Sequence, residues 1–314
     1  MAAALLDPPS TVEVFVPPSA EARWLARRFR ALLAPPSGVP DRRSRVLGFF
    51  VVAPFTQFTL LSWDLQMFLF EVFHTRLSAR LGHGLFMPAV NFFVMAALAQ
   101  LRVGAPPTAH AWTGPSLNGA TVYAALLITW YFAVAVRERL LLWWALSAPC
   151  TLALALGADA YYCHHATLDA AQRSFFAPTP LAANPFVWMW VSALMIMLSH
   201  VPEPRLPPRV SDTWRWTSVA DFLRGTNGRP SVAGVLSRGV LLLAQVASGT
   251  LNEWWASPRL MPYNLLALMF RAGYQPTRAA RTLGFAARAI ASGNPAIDFV
   301  GVGGGAYLRA EDLG

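Results

Sequence analysis

Charge is what this chain has least of. Only 13% of its residues are charged, about half the share in a soluble globular protein. Acids are the scarcer sign, 16 against 25 basic residues. With 55% of its residues hydrophobic, the chain lacks the polar groups to clothe a soluble surface, and an integral membrane protein is expected.

Other absences narrow the reading further. Cys150 and Cys163 are the only cysteines, too few for a disulfide framework or a cysteine-based zinc site. Both are expected to pack between helices. The opening MAAALLDPPS has neither a basic n-region nor a long apolar h-region, so a cleavable signal peptide is not expected. The glycine run FVGVGGGAY lacks the Lys-Ser/Thr of a phosphate loop and the strand-to-helix setting of a dinucleotide site. It is expected to be a flexible tail. No internal repeat is present. A net charge of +9 would point a soluble chain towards nucleic acid. Here the arginines flank apolar runs, so the expected partner is anionic membrane lipid and not nucleic acid.

What the chain does have is a series of apolar runs. Residues 1–45 are a polar, proline-rich, basic tail. Within it Ala20–Ala34 sets Trp24, Leu25, Phe29 and Leu32 against Arg23, Arg27 and Arg30, the pattern of an interfacial amphipathic helix or of a poorly ordered basic tail. Val46–Phe73 exceeds the roughly 20 residues that span a bilayer. Asp64 interrupts it, a costly carboxylate at that depth unless the segment bends there. Further runs follow at Leu85–Leu101, Thr121–Val136, Leu140–Leu156 and Asn184–Leu198, with a short one at Leu260–Phe270. Val232–Leu251 is too broken by Ser and Arg to count as a span. Joined by short connections, these runs predict an all-α polytopic membrane bundle of about five to seven apolar helices. It occupies residues 46–276, with a polar insertion at Ser211–Pro230 outside the bilayer and a C-terminal tail over 277–314.

Six histidines are the candidates for chemistry. His110 sits among prolines in a loop and reads as a surface residue. His74 and His83 lie nine apart in FEVFHTRLSARLGHGLFMP, which puts them on opposite faces of a straight helix. Gly82 is expected to break the helix just before His83, so that one histidine ends a helix and the other begins the next. A pair of loop histidines at the mouth of a helical hairpin is the plainer alternative. His200 closes the fifth run, because Pro202 disfavours helical geometry at Val201. Glu203 follows three residues later.

These residues resemble a known family, the 2-hydroxy-fatty-acid dioxygenases of membranes, which act in fatty acid α-oxidation. Its first signature is an aromatic, a His, a second His nine on, and a Pro opening an apolar helix, matched by Phe70, His74, His83 and Pro88. The second is an apolar helix with Trp running into Gly-His, then Glu and Pro, matched by Trp190 to Ser199, His200, Glu203 and Pro207. A closing aliphatic-aromatic-Gly-Tyr-x-Pro is matched by Leu268 to Pro276. The chain departs from the pattern in having Ala79 near the family's asparagine, Ser199 for its glycine, and Glu203 one residue closer to His200.

The resemblance implies an Fe(II)-dependent enzyme that cleaves a 2-hydroxy fatty acid with O2, giving CO2 and an acid one carbon shorter. Non-haem Fe(II) takes imidazole and carboxylate ligands and keeps positions open, so the residue types suit it. His74, His83 and His200 are the implied ligands, and one of His164 and His165, taken as His165, is a fourth candidate. Glu203 is a ligand or orients a histidine. Arg76 and Arg80 are candidates to hold the substrate carboxylate, or are ordinary interfacial arginines. The implied membrane is the endoplasmic reticulum of a eukaryote or the inner membrane of a bacterium.

Counting five spans puts the His74–His83 loop, the Arg137–Arg139 turn and the helix end at His200 on one side, cytoplasmic by its positive charge. The same count puts His164 and His165 on the other. Membrane desaturases and hydroxylases use more histidines than this chain has, in boxes such as HxxxH and HxxHH that it lacks. A non-enzymatic membrane scaffold or transporter subunit remains the alternative.

Overall fold

In a computed structural model the chain is built mainly of helices. The structure describes residues 11–16, 63–103, 112, 114–167, 169–174, 176–199, 261–292, 296–298 and 305–309, with single positions at 236, 250, 254, 257 and 258. In chain order these form β1 (Thr11–Val16), α1 (Trp63–Phe73), α2 (Leu77–Leu98), α3 (Gly119–Glu138), α4 (Leu141–His165) and α5 (Pro185–Ser199). Then come α6 (261–271), α7 (Pro276–Ser292), β2 (Ala296–Asp298) and β3 (Gly305–Arg309). Helices α2, α3 and α4 are long and apolar enough to cross a membrane, and α5 is a shorter apolar helix. Apart from three short strands, the chain is thus an all-α membrane bundle and an integral membrane protein.

The elements divide into two compact units. One comprises Leu81–Ser199 and Glu253–Met269: most of α2, all of α3 to α5, and the start of α6. The other holds β1, α1, the first turn of α2, the end of α6, α7, β2 and β3.

In the first of these, α3 and α4 form an antiparallel hairpin. Asn118 caps α3 through a reciprocal capping box with Thr121, satisfying amide groups that a helix start leaves unpaired. Arg139 ends α3 in the left-handed conformation, φ 58°, and its amide reaches back to Val136 O at 3.3 Å. Phe132 then lies edge-on to Trp144 at 5.0 Å, and Trp144 Nε1 donates to Ile128 O at 3.1 Å. Pro258 and the first turn of α6 dock on this hairpin through buried aromatic tips. The Tyr131 hydroxyl donates to Pro258 O, and Trp143 Nε1 donates to Pro262 O at 2.8 Å.

Helices α2 and α5 are also antiparallel. Phe93 stacks on Trp188 at 6.3 Å, and at their other ends Gly82 meets Ser199. Met87, Val90, Met189, Ala193 and Ile196 form the core between them, spaced at about one helical turn on each helix. Helix α4 runs alongside α2 in the same direction, with Phe92 against Tyr161 at 5.6 Å.

Where α2 ends, a polar knot ties three helices together. Asp159, fully buried on α4, accepts from the Arg102 guanidinium, from Asn118 Nδ2 at 2.8 Å, from Ser116 Oγ at 3.2 Å and from Trp112 Nε1 at 3.1 Å. Arg102 also lies 5.5 Å from the centre of the Tyr162 ring. A carboxylate in apolar surroundings is tolerable only when it is paired and hydrogen-bonded, and this one is both.

In the second unit α7 packs on α1. Asp64 accepts from Arg278 Nε at 2.7 Å, and Phe68 meets Phe285 at 5.0 Å. Ala279, Thr282, Phe285 and Ala286 are the buried face of α7, three or four residues apart as one face of a helix requires. The three strands pair antiparallel in the order β1-β3-β2.

Several expectations are corrected. Helix α2 runs unbroken through Gly82, His83 and Pro88, so Gly82 is no helix break and Pro88 opens no helix. The break lies at residues 74–76. Pro88 lies inside α2, one turn after Gly84. Helix α4 continues nine residues past Leu156 to His165; the polar stretch after that run is its last turns. The expected tail after residue 276 contains most of α7, with β2 and β3; α7 forms because successive turns set Ala279, Thr282, Phe285 and Ala286 on one buried face despite a basic composition. Of the cysteines, Cys163 is buried and Cys150 is exposed. Residues 46–62, Ala20–Ala34, Ser211–Pro230, His110, His200 and Glu203 lie outside the described residues.

Asp159→Ala should destabilise the protein strongly. It would strand Arg102, whose side chain is 11% exposed, and breaking such a pair costs about 3–5 kcal/mol. Thermal unfolding in detergent should show a large fall in Tm, with a smaller fall for Asp159→Asn.

Candidate functional site

His74 is the first residue after α1, and the way it is held is specific. It is buried, and its ring stacks on Phe70, one turn earlier, at 4.3 Å. Its Nδ1 contacts the Phe70 carbonyl. A carbonyl oxygen only accepts, so Nδ1 carries the proton and the ring lone pair is on Nε2. Metal-binding histidines are commonly oriented this way. The aromatic that precedes the first histidine thus supplies both the stacking face and the carbonyl.

Between Phe70 and His74 lies Glu71, a buried carboxylate. Arg80 meets it in a two-pronged pair at 3.2 and 2.8 Å, and Arg271 reaches both its oxygens at 2.9 and 2.8 Å. Arg80, a candidate for binding substrate, is therefore engaged by Glu71, while Arg76 is exposed. Arg271 closes α6 at the head of the turn RAGYQP. That turn forms because Gly273 takes a positive φ of 92°, as glycine does readily. Its amide bonds to Phe270 O at 3.1 Å, and Pro276 then opens α7, the helix position proline suits best. Segments 200 residues apart in sequence are joined at this carboxylate.

His83 is in the second turn of α2 and is buried. Its neighbour Gly82 is where α2 meets the end of α5. A Cβ there would sit 2.2 Å from Ser199 Oγ and 2.5 Å from Ser199 Cβ, distances only glycine avoids. Ser199 Oγ itself donates to Ile196 O at 2.6 Å. The residue after Ser199 in the chain is His200.

His164 and His165 end α4, with His165 against Tyr161 at 4.5 Å and His164 at 4.8 Å. Tyr161 packs on Phe92, nine residues along α2 from His83 and so about 14 Å away along the helix axis. The structure does not bring His165 to His83. Among the described residues no three His, Cys, Asp or Glu side chains gather as a metal site. Two members of the expected set, His200 and Glu203, are outside those residues. The donor chemistry of His74 and His83, two buried imidazoles, fits a metal that takes nitrogen ligands.

Glu71 and Arg271 were not singled out from the sequence. A signal existed for the first: a lone acid among apolar neighbours in FEVFH, beside a candidate ligand. Nothing in the sequence pairs it with Arg271.

Gly82→Ala should destabilise by about 1–3 kcal/mol through overpacking, and Ser199→Gly in the same chain should recover most of that loss. A double-mutant cycle by thermal unfolding checks this, and strictly additive effects would refute the contact. Glu71→Ala, which leaves Arg80 and Arg271 partly solvated, should cost about 2 kcal/mol by the same measurement.

Comparison of the chain with known protein families, with curated proteins and with solved structures finds no match.

Proposed function

We propose that this integral membrane protein is an Fe(II)-dependent dioxygenase. It cleaves a 2-hydroxy fatty acid with one O2 to CO2, water and the acid one carbon shorter. The membrane would be the endoplasmic reticulum in a eukaryote or the inner membrane in a bacterium. The observation that supports the reading most is the approach of Gly82 to Ser199. It joins the turn of α2 bearing His83 to the last residue before His200, two segments that resemble the dioxygenases independently. The Glu71–Arg271 pair joins the first of those segments to the third.

In this reading His74, His83 and His200 hold the iron and Glu203 binds or orients beside them. Iron would supply the binding and activation of O2. The chain's own residues do the rest. The carbonyl of Phe70 fixes the His74 tautomer. Glu71 pairs with both Arg80 and Arg271, and Arg76, the exposed arginine of the first motif, would meet the substrate carboxylate. His165, at the end of α4, is set aside, since it lies against Tyr161, which packs on Phe92 well along α2 from His83.

Protein purified with iron should release CO2 from a 2-hydroxy fatty acid under O2. Replacing His74, His83 or His200 by Ala should remove iron and turnover together, by metal analysis and CO2 trapping. His110→Ala and His165→Ala should retain both. Folded protein without iron or turnover would favour the scaffold or transporter alternative.

A further inference from the structure

Outside the histidine segments, the described residues form an open apolar hollow. It lies where α5 begins, with a volume of about 550 Å³, and is lined by Phe176, Phe186, Val187, Trp190 and Val191. That volume is within the range of small-molecule sites. The lining is aromatic and aliphatic throughout, so the matching ligand is a hydrocarbon.

Phe176 is the unusual member. It is 77% exposed and adopts a positive φ of 62°, a conformation that residues other than Gly, Asn and Asp avoid. Strain of this kind persists only where the surroundings over-determine it, and here they do. Ser174 donates to Thr179 O through both its amide, at 2.8 Å, and its hydroxyl, at 2.6 Å. Asn184 Nδ2 donates to Ser174 Oγ at 2.6 Å. The same Asn184 caps α5, its Oδ1 accepting from Phe186 N at 2.8 Å. One network therefore sets both the turn that presents Phe176 and the helix start that presents Phe186, whose rings sit 6.0 Å apart.

Beyond the hollow, α5 carries further apolar side chains. Leu194 and Leu198 follow Trp190 at one-turn intervals and are half-buried and exposed. The stripe ends beside Ser199, which meets Gly82 next to His83. Thirteen residues separate Phe186 from Ser199, about 20 Å at 1.5 Å per residue. An extended acyl chain, advancing ~1.3 Å per bond as a peptide backbone does, covers that span in about fifteen bonds.

We propose that this hollow is the acyl-tail subsite of the substrate. It receives the methyl end of a long 2-hydroxy fatty acid whose polar head lies at the Ser199 end of α5. The inference rests on the dioxygenase reading, and it makes Phe176, Trp190 and Val191 residues that determine chain length.

Two measurements test it on the full-length protein in lipid nanodiscs. In the first, a 2-hydroxy fatty acid with a diazirine at its methyl end is photolysed and the labelled peptide identified. Labelling should fall within residues 176–191 and be displaced by unlabelled 2-hydroxy acid. Labelling elsewhere would overturn the proposal. So would equal labelling by a diazirine-bearing phospholipid that the 2-hydroxy acid fails to displace, which would mark ordinary bilayer contact. In the second, Val191→Trp fills the hollow and Phe176→Ala opens it. Val191→Trp should lower the ratio of kcat/KM for long over short 2-hydroxy acids by roughly tenfold, the effect of withdrawing about two methylenes, with iron content retained. An unchanged ratio in both variants would overturn the proposal. Displaceable labelling in a protein without iron or turnover would sink the dioxygenase reading and leave the subsite standing.

Discussion

The buried carboxylate of Asp159 is the constraint on which the helical unit depends. It is on α4, yet its partners come from the end of α2 and from the approach to α3. Without an acceptor at that point, Arg102 would have to leave the apolar bundle, and Asn118 would lose the contact that steadies it as the cap of α3. Charge is expensive in such surroundings, so the pair holds the loop ends in register instead of adding free energy outright. The antiparallel α3–α4 hairpin and the α2–α5 pair are apolar contacts that could slide. A buried ion pair with four hydrogen-bonding partners admits one arrangement.

The same logic recurs at Glu71 with a different consequence. Two arginines converge on one buried carboxylate, so the end of α1, the start of α2 and the end of α6 are tied together beside His74. The ion pair settles which arginines are structural. It also gives the break at residues 74–76 a purpose, since Arg80 on α2 must reach back over it to Glu71. Close packing does at Gly82 what charge does at Glu71: with no side chain there, α2 and α5 approach until Ser199 fills the space.

Much of this was legible. The runs at Thr121–Val136 and Asn184–Leu198 mark α3 and α5 to within about two residues, because an unbroken apolar run surrounded by apolar neighbours stays helical to its ends. His74 does follow a helix end. Glycine can serve as a conformational break, but at Gly82 its missing Cβ serves a neighbour instead. The apolar run ends at Leu156 while the helix goes on through Asp159 to His165. The carboxylate of Asp159 is satisfied by tertiary partners, so the helix has no reason to stop there. The α7 helix was hidden by composition: its arginines dominated the count while Ala279, Phe285 and Ala286 faced α1.

By itself the sequence determined the class of the protein. Scarce charge and long apolar runs leave a membrane bundle as the architecture, and backbone hydrogen bonding in lipid makes its spans helical. Only the tertiary structure decided which polar residues are partners. Glu71 with Arg271, Asp159 with Arg102 and Gly82 with Ser199 are pairs that local periodicity does not record, because the contacts that make them form only once the helices have packed.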